Sequence, residues 1–305
     1  MAIDAALTTR TIQRVASGRF VIRKLSLGHP EDKVVPMIGE EYALNLRSKT
    51  MGISMYNTIR EKLESGKQVV GGTIDTPDPE VYRAMARSGF DFLWIEMQHS
   101  PLTFQEVAQM IWSARDLPAV PFIRVPDATE GDIQKATDVG ALGIIVPMVV
   151  EVAKVEAAVR FAKYPPEGVR SLGGGQYGAL YGRDYRTTAN ENIMVVAMIE
   201  SPAGVENAEA IASVPGVDVV FTAATDLFSF SGHAQGEPEY EAMIAKIHTA
   251  TLAAGRKVGG PLQWRSRPGF SFFQAPGATT LIGRGAKDLL AETEATVAPI
   301  EGSED

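Results

Sequence analysis

The chain has 305 residues, 45% hydrophobic and 22% charged, with a net charge of −8 and no cysteine. This is the composition of a soluble protein with a large core; the acidic balance argues against a nucleic-acid surface, and the lack of thiols removes disulfides, cysteine nucleophiles and cysteine-bound zinc. The longest apolar runs, such as 139–150, fall short of a membrane span and the first twenty residues lack an apolar signal core, so a cytoplasmic enzyme with no membrane partner is expected.

Residues 1–55 are mixed and partly charged and show no repeat, which sets them apart as an N-terminal extension. From there a unit recurs through 56–298: a short apolar strand, a turn, then a segment of helical period. Strands are expected at 69–75, 90–97, 120–126, 141–149, 193–200, 217–224, 256–263 and 278–285. Their near-continuous Val, Ile and Phe suit strands covered on both faces. Helices follow them. "DPEVYRAMARSG" has Asp78 as N-cap and Pro79 in the first turn, and "TFQEVAQMIWSARDL" pairs Thr103 with Glu106 in a capping box. Further helical patterns lie at 129–140, 151–164, 201–216 and 239–255. The seventh connection, "RSRPGFSFFQAPG", is short and aromatic and the poorest helix. "AKDLLAETEATVAPI" closes the array, and 299–305 form an acidic tail.

Eight alternating units describe a (β/α)8 TIM barrel. The alternative, a doubly wound open sheet, expects a glycine-rich phosphate turn after its first strand, and "GGTIDTPDPE" is not one. The "GGG" at 173–175 follows no clear strand and reads as loop.

Active sites of such barrels lie at the C-terminal ends of the strands. There the second strand ends in Glu96, Gln98 and His99, the third in Arg124 and the fifth in Glu200, and Asp226 follows the sixth. Each alone is readily a cap or a surface ion pair, and His99 alone reads equally as a polar loop residue. Four chemically able groups on one rim point to a site. Glu200 and Asp226 are hard oxygen donors suited to Mg2+ or Mn2+, with substrate oxygens or water completing the shell. A 2-oxo acid offers two such oxygens. Arg124 can stabilise the enolate that forms from it, and His99 suits proton transfer near neutrality. No lysine ends one of these strands, which gives a Schiff base little support.

At these residues the sequence resembles the HpcH/HpaI aldolases, metal-dependent pyruvate aldolases such as 4-hydroxy-2-oxoheptanedioate aldolase. The resemblance covers roughly 56–295 and rests on "GFDFLWIEMQHSP", "PFIRVP", "DVGALGIIVPMV", "YPPEGVRS", "MIESPAGVENAEAIASVPGVD" and "TDLF", in order and spacing. It implies that Glu200 and Asp226 bind the metal (Mg2+ or Mn2+, with Co2+ an admissible third). It makes Arg124 the arginine on the keto oxygen, His99 the base, and Asp138 the aspartate paired with that base. Read without the family, Asp138 is a helix-end residue. Thr225 takes the position whose backbone N–H helps hold the pyruvate carboxylate. The implied reaction cleaves a 4-hydroxy-2-oxo acid to pyruvate, or a close analogue, and an aldehyde. The implied assembly is a homo-oligomer, a hexamer or trimer, whose last helix packs on a neighbour. Alternatives are a lyase of an acyl thioester or an oxaloacetate-type enolate, and a non-catalytic barrel that binds an oxo acid. The sequence departs from the family at Glu96 and Gln98, where Asp and Glu are usual, at Met198, where a glutamine is common, and at Ala223-Ala224-Thr225, where Gly-Pro-Ala is usual. Arg170-Ser171-Leu172-Gly173 likewise stands for Arg-Gly-x-Gly. Gln98 removes a charge beside the base and is a candidate substrate contact. Residues 259–265, "GGPLQWR", are expected to select the aldehyde.

Overall fold

The computed structural model describes residues 10–14, 20–24 and 56–294, in two compact units divided at Met51/Gly52. In the first unit, strands β1 (Arg10–Arg14) and β2 (Phe20–Lys24) pair antiparallel, with Ile12 opposite Ile22. The remainder of the expected extension and the tail at 299–305 lie outside the described residues.

The second unit is a closed barrel of eight parallel strands: β3 (Val69–Ile74), β4 (Phe92–Glu96), β5 (Val120–Arg124), β6 (Gly143–Val146), β7 (Met194–Ile199), β8 (Val219–Thr222), β9 (Lys257–Pro261) and β10 (Phe270–Gly277), which closes on β3. β4 to β8 are buried at every residue, as their continuous apolar character demands. Phe92, Phe122, Phe221 and Phe272 meet inside the barrel, with ring centroids 4.5–6.5 Å apart. Space for them comes from glycines directly across the ladder: Gly71 beside Phe92, Gly143 beside Phe122 and Gly259 beside Phe221. A Cβ at Gly143 would stand 1.9 Å from the Phe122 ring, and one at Gly71 2.1 Å from Phe92.

The expected helix starts are present. Asp78 accepts the N–H groups of Glu80 and Val81, and Thr103 and Glu106 form the reciprocal capping box. Among the described residues no helix is long and apolar enough to cross a membrane. Below the strands Lys163 is buried, its Nζ donating to the carbonyls of Asn190 and Ile193.

The eighth strand lies one element earlier than the sequence suggested. It is Phe270–Gly277, inside the expected seventh connection, and the expected strand 278–285 is the start of helix Ala278–Glu294. The β-branched Thr279, Thr280 and Ile282 mimic a strand locally, but Phe270, Phe272 and Phe273 carry the buried surface, and tertiary burial decides. The seventh connection then shrinks to a 3-10 turn, Leu262–Trp264, and has no α-helix. Trp264 packs edge-on against Phe270. The Arg265 carbonyl accepts from Gln68, which precedes β3. The Arg265 end of "GGPLQWR" therefore lies toward the start of β3, away from the C-terminal rim at which β9 ends in Pro261. The connection between β6 and β7 also holds two short helices, Tyr177–Tyr181 and Tyr185–Asn192, which follow the loop at 173–175.

Candidate active site

Side chains alternate along a strand, so inward-facing Phe92 and Trp94 place Glu96 inward as well, at the mouth. Phe122 does the same for Arg124 on β5, with Glu96 and Arg124 directly opposite in the ladder. Met198 on β7 shares this parity, and Glu200 follows it just past the strand end. Asp226 sits in the first turn of the helix Ala224–Ser231 that leaves β8.

Arg124 and Glu96 form a buried ion pair, 8% and 5% exposed. Arg124 Nε and Nη2 both lie 2.5 Å from Glu96 Oε2. The Trp94 indole donates to the same oxygen at 3.3 Å. Arg124 Nη1 faces a weak acceptor, Met198 Sδ, at 3.9 Å.

Glu200 is 1% exposed, and its Oε1 accepts the Met148 N–H at 2.9 Å. Met148 has φ +51°, unusual for a residue with a side chain. Burial raises the Glu200 carboxyl from 4.5 to about 7 against the lowering effect of the Met148 N–H; Asp226 raises it further and Arg124 opposes. Protonated Glu200 can hydrogen-bond to Asp226. Two carboxyl groups held together in a buried setting fit a divalent cation, which would relieve both desolvation and repulsion. Among the described residues no group of three or more His, Cys, Asp and Glu side chains converges to hold a metal, so the chain offers this pair of carboxylates.

Thr225 lies on the same rim, exposed, in the helix's first turn, where backbone N–H groups have no intrahelical acceptor. His99 is exposed on the turn after β4, and its imidazole has no hydrogen bond to a described residue. Gln98 is half-buried with its Oε1 unpartnered. Glu200, Asp226, Arg124, Thr225, Gln98 and His99 thus share one pole.

Asp138 does not. It ends the helix Glu130–Asp138, which descends from the rim and delivers the chain to the start of β6. It therefore lies at the opposite pole from His99, the length of a strand away, about 16 Å. Its carboxylate binds Arg170 at 3.0 Å and Gln134 at 2.8 Å. Arg170 is buried among Tyr164, Tyr177 and Tyr185. Within the chain Asp138 is the helix-end residue and not a partner of His99.

Several rim features escaped sequence reasoning. Gln274, on β10, donates to Thr73 Oγ1, which donates to the Ala275 carbonyl. The two-residue step from Phe272 to Gln274 was the available signal. The reach of Glu96 and the left-handed backbone of Met148 had none.

The sequence profile of the HpcH/HpaI aldolase/citrate lyase family matches residues 74–262. A hydroxypyruvate/pyruvate aldolase of Rhizorhabdus wittichii is 33% identical over 249 residues, 78% of this chain and 99% of the relative. An HpcH/HpaI aldolase/citrate lyase family protein of Burkholderia cenocepacia has a solved structure that superposes with a TM-score of 0.72 at 28% identity, covering 78% of this chain and 99% of that one. The solved structure of a citrate synthase gives a TM-score of 0.67 at 30% identity, over 77% and 97% of the two chains. The chain belongs to the HpcH/HpaI aldolase/citrate lyase family.

Proposed function

We propose that the chain is a class II aldolase, a carbon–carbon lyase that cleaves a 4-hydroxy-2-oxo acid to pyruvate, or a close analogue such as hydroxypyruvate, and an aldehyde. The observation that carries this reading is the buried Glu200, raised to about 7 beside Asp226, on the rim that also holds Arg124. The pair would hold Mg2+, Mn2+ or Co2+, which when bound supplies Lewis acidity toward the keto oxygen.

The chain's own groups divide the remaining work. Arg124 turns its Nε/Nη2 edge to Glu96, which leaves Nη1 and the second N–H of Nη2 for the substrate oxygen on which enolate charge develops. The N–H of Thr225 suits the substrate carboxylate, as helix N-termini suit anions. The His99 imidazole takes the proton of the 4-hydroxyl as the carbon–carbon bond breaks and returns one in the reverse reaction. The unpartnered Gln98 Oε1 accepts from a substrate hydroxyl. Asp138 can meet His99 only from a second copy of the chain. A homo-oligomer, hexamer or trimer, accords with Ile282, Leu289 and Leu290 on helix Ala278–Glu294, each more than 60% exposed.

A second reading is lysis or condensation of an acyl thioester or oxaloacetate-derived enolate, favoured by the likeness to the citrate synthase. Pyruvate release from a 4-hydroxy-2-oxo acid, with EDTA and after Mn2+ is restored, separates the two. The aldolase reading expects release that stops in EDTA and returns with Mn2+. Turnover of an acyl thioester without pyruvate release would favour the second.

A further inference from the structure

Glu96 makes more hydrogen bonds than any other group on the rim, and its two carboxylate oxygens face different elements. Oε2 takes Arg124 Nε and Nη2, both at 2.5 Å, and the Trp94 indole at 3.3 Å. Oε1 takes the backbone N–H groups of Gln98 at 2.8 Å and His99 at 3.0 Å. The Glu96 carbonyl accepts from the Ser100 hydroxyl, and the Met97 N–H reaches the Arg124 carbonyl at 3.0 Å. The turn 97–100 is thus tied to β5 through one carboxylate.

We infer that Glu96 is a positioning residue that fixes the Arg124 guanidinium and the His99 turn relative to one another. This role rests on the aldolase reading for its effect on turnover, and the tether itself is independent of it. A rigid O–C–O group leaves the arginine and the turn little freedom to move separately. It also directs Nη1, the remaining guanidinium edge, toward the mouth. An ordinary buried ion pair would satisfy Arg124 without holding the N–H groups of two successive residues of the neighbouring turn.

The geometry forbids simple replacement. Glutamine has one acceptor oxygen, so its NH2 must face either the guanidinium or the backbone N–H groups, donor against donor. Aspartate keeps the charge but is one methylene shorter, so it can serve Arg124 or the turn, not both.

The test compares wild type, Glu96→Gln and Glu96→Asp by hydrogen exchange of a peptide spanning 97–103 and by steady-state kinetics. Both variants are expected to lose amide protection in that peptide by about tenfold or more. They should lose about 10–10²-fold in kcat, the scale of a small misplacement of reacting groups, while KM for the oxo acid and Mn2+ affinity stay within about twofold of wild type. Wild-type protection in Glu96→Asp, or unchanged kcat in a variant whose protection is lost, overturns the inference. Should Glu96→Gln fail to fold, Glu96→Asp decides by the same two readouts. A wild-type protein that releases no pyruvate defeats the aldolase reading, and the exchange comparison still decides whether Glu96 holds the turn.

Discussion

Replacing Glu200 with glutamine separates the cost of the carboxylate pair from its use. In the metal-free protein the Glu200 carboxyl rises from 4.5 to about 7, chiefly through burial. A carboxyl raised on folding takes up a proton as the chain folds, so its stabilising contribution is complete below about 4.5 and is lost as pH rises through about 7. At 1.36 kcal/mol per pKa unit, the loss is about 3 kcal/mol. Glutamine mimics the protonated acid and does not titrate. Urea denaturation of EDTA-treated proteins between pH 4.5 and 8.5 should show wild type losing that amount relative to Glu200→Gln. Excess Mn2+ should cancel most of that difference above pH 7. Wild type should gain about 2.7 kcal/mol at a metal concentration one hundred times Kd, and the variant almost nothing. Parallel pH profiles of the two metal-free proteins, or equal stabilisation of both by Mn2+, would refute the reasoning.

Arg124→Ala should lower kcat for cleavage by about 10²–10³, the cost of a charged donor at a developing oxyanion, as measured by initial rates at saturating substrate. His99→Ala should lose about 10²–10⁴ in cleavage rate with Mn2+ affinity retained, and a variant that cleaves normally but no longer binds Mn2+ in titration would make His99 a ligand. Burial lowers Lys163 from 10.5 to about 8, so the chain expels a proton on folding and wild type should gain stability over Lys163→Met as pH rises from about 8 to about 10.5. Denaturation at those two pH values checks the sign.

The barrel was legible because its strands are buried on both faces, which leaves runs such as Phe92–Glu96 and Met194–Ile199 almost free of polar residues until the rim. The same alternation brought Glu96, Arg124 and Glu200 to one pole without knowledge of any loop. It failed where local preference and burial disagree: Thr279 and Thr280 look like strand but open a helix, while Pro276 and Gly277 hide the end of β10. The place of Asp138 within one chain was illegible for a different reason. The resemblance paired it with His99, but a helix that leaves the rim must end at the opposite pole, where Arg170 takes the carboxylate. Side-chain reach was illegible in principle. Nothing in "IEMQHSP" states that Glu96 turns one oxygen back onto its own following turn and the other onto Arg124.

The central claim is that Glu200 and Asp226 hold a divalent cation that works with Arg124 to stabilise an enolate. The measurement that tests it most directly is exchange of the methyl protons of pyruvate in D2O, followed by NMR, because it isolates enolate formation from the unknown aldehyde. Wild type with Mn2+ should incorporate deuterium, and wild type in EDTA, Glu200→Gln with Mn2+ and Arg124→Ala with Mn2+ should each fall by about 10² or more. Exchange that continues at the same rate in EDTA, or in Glu200→Gln, would contradict the account.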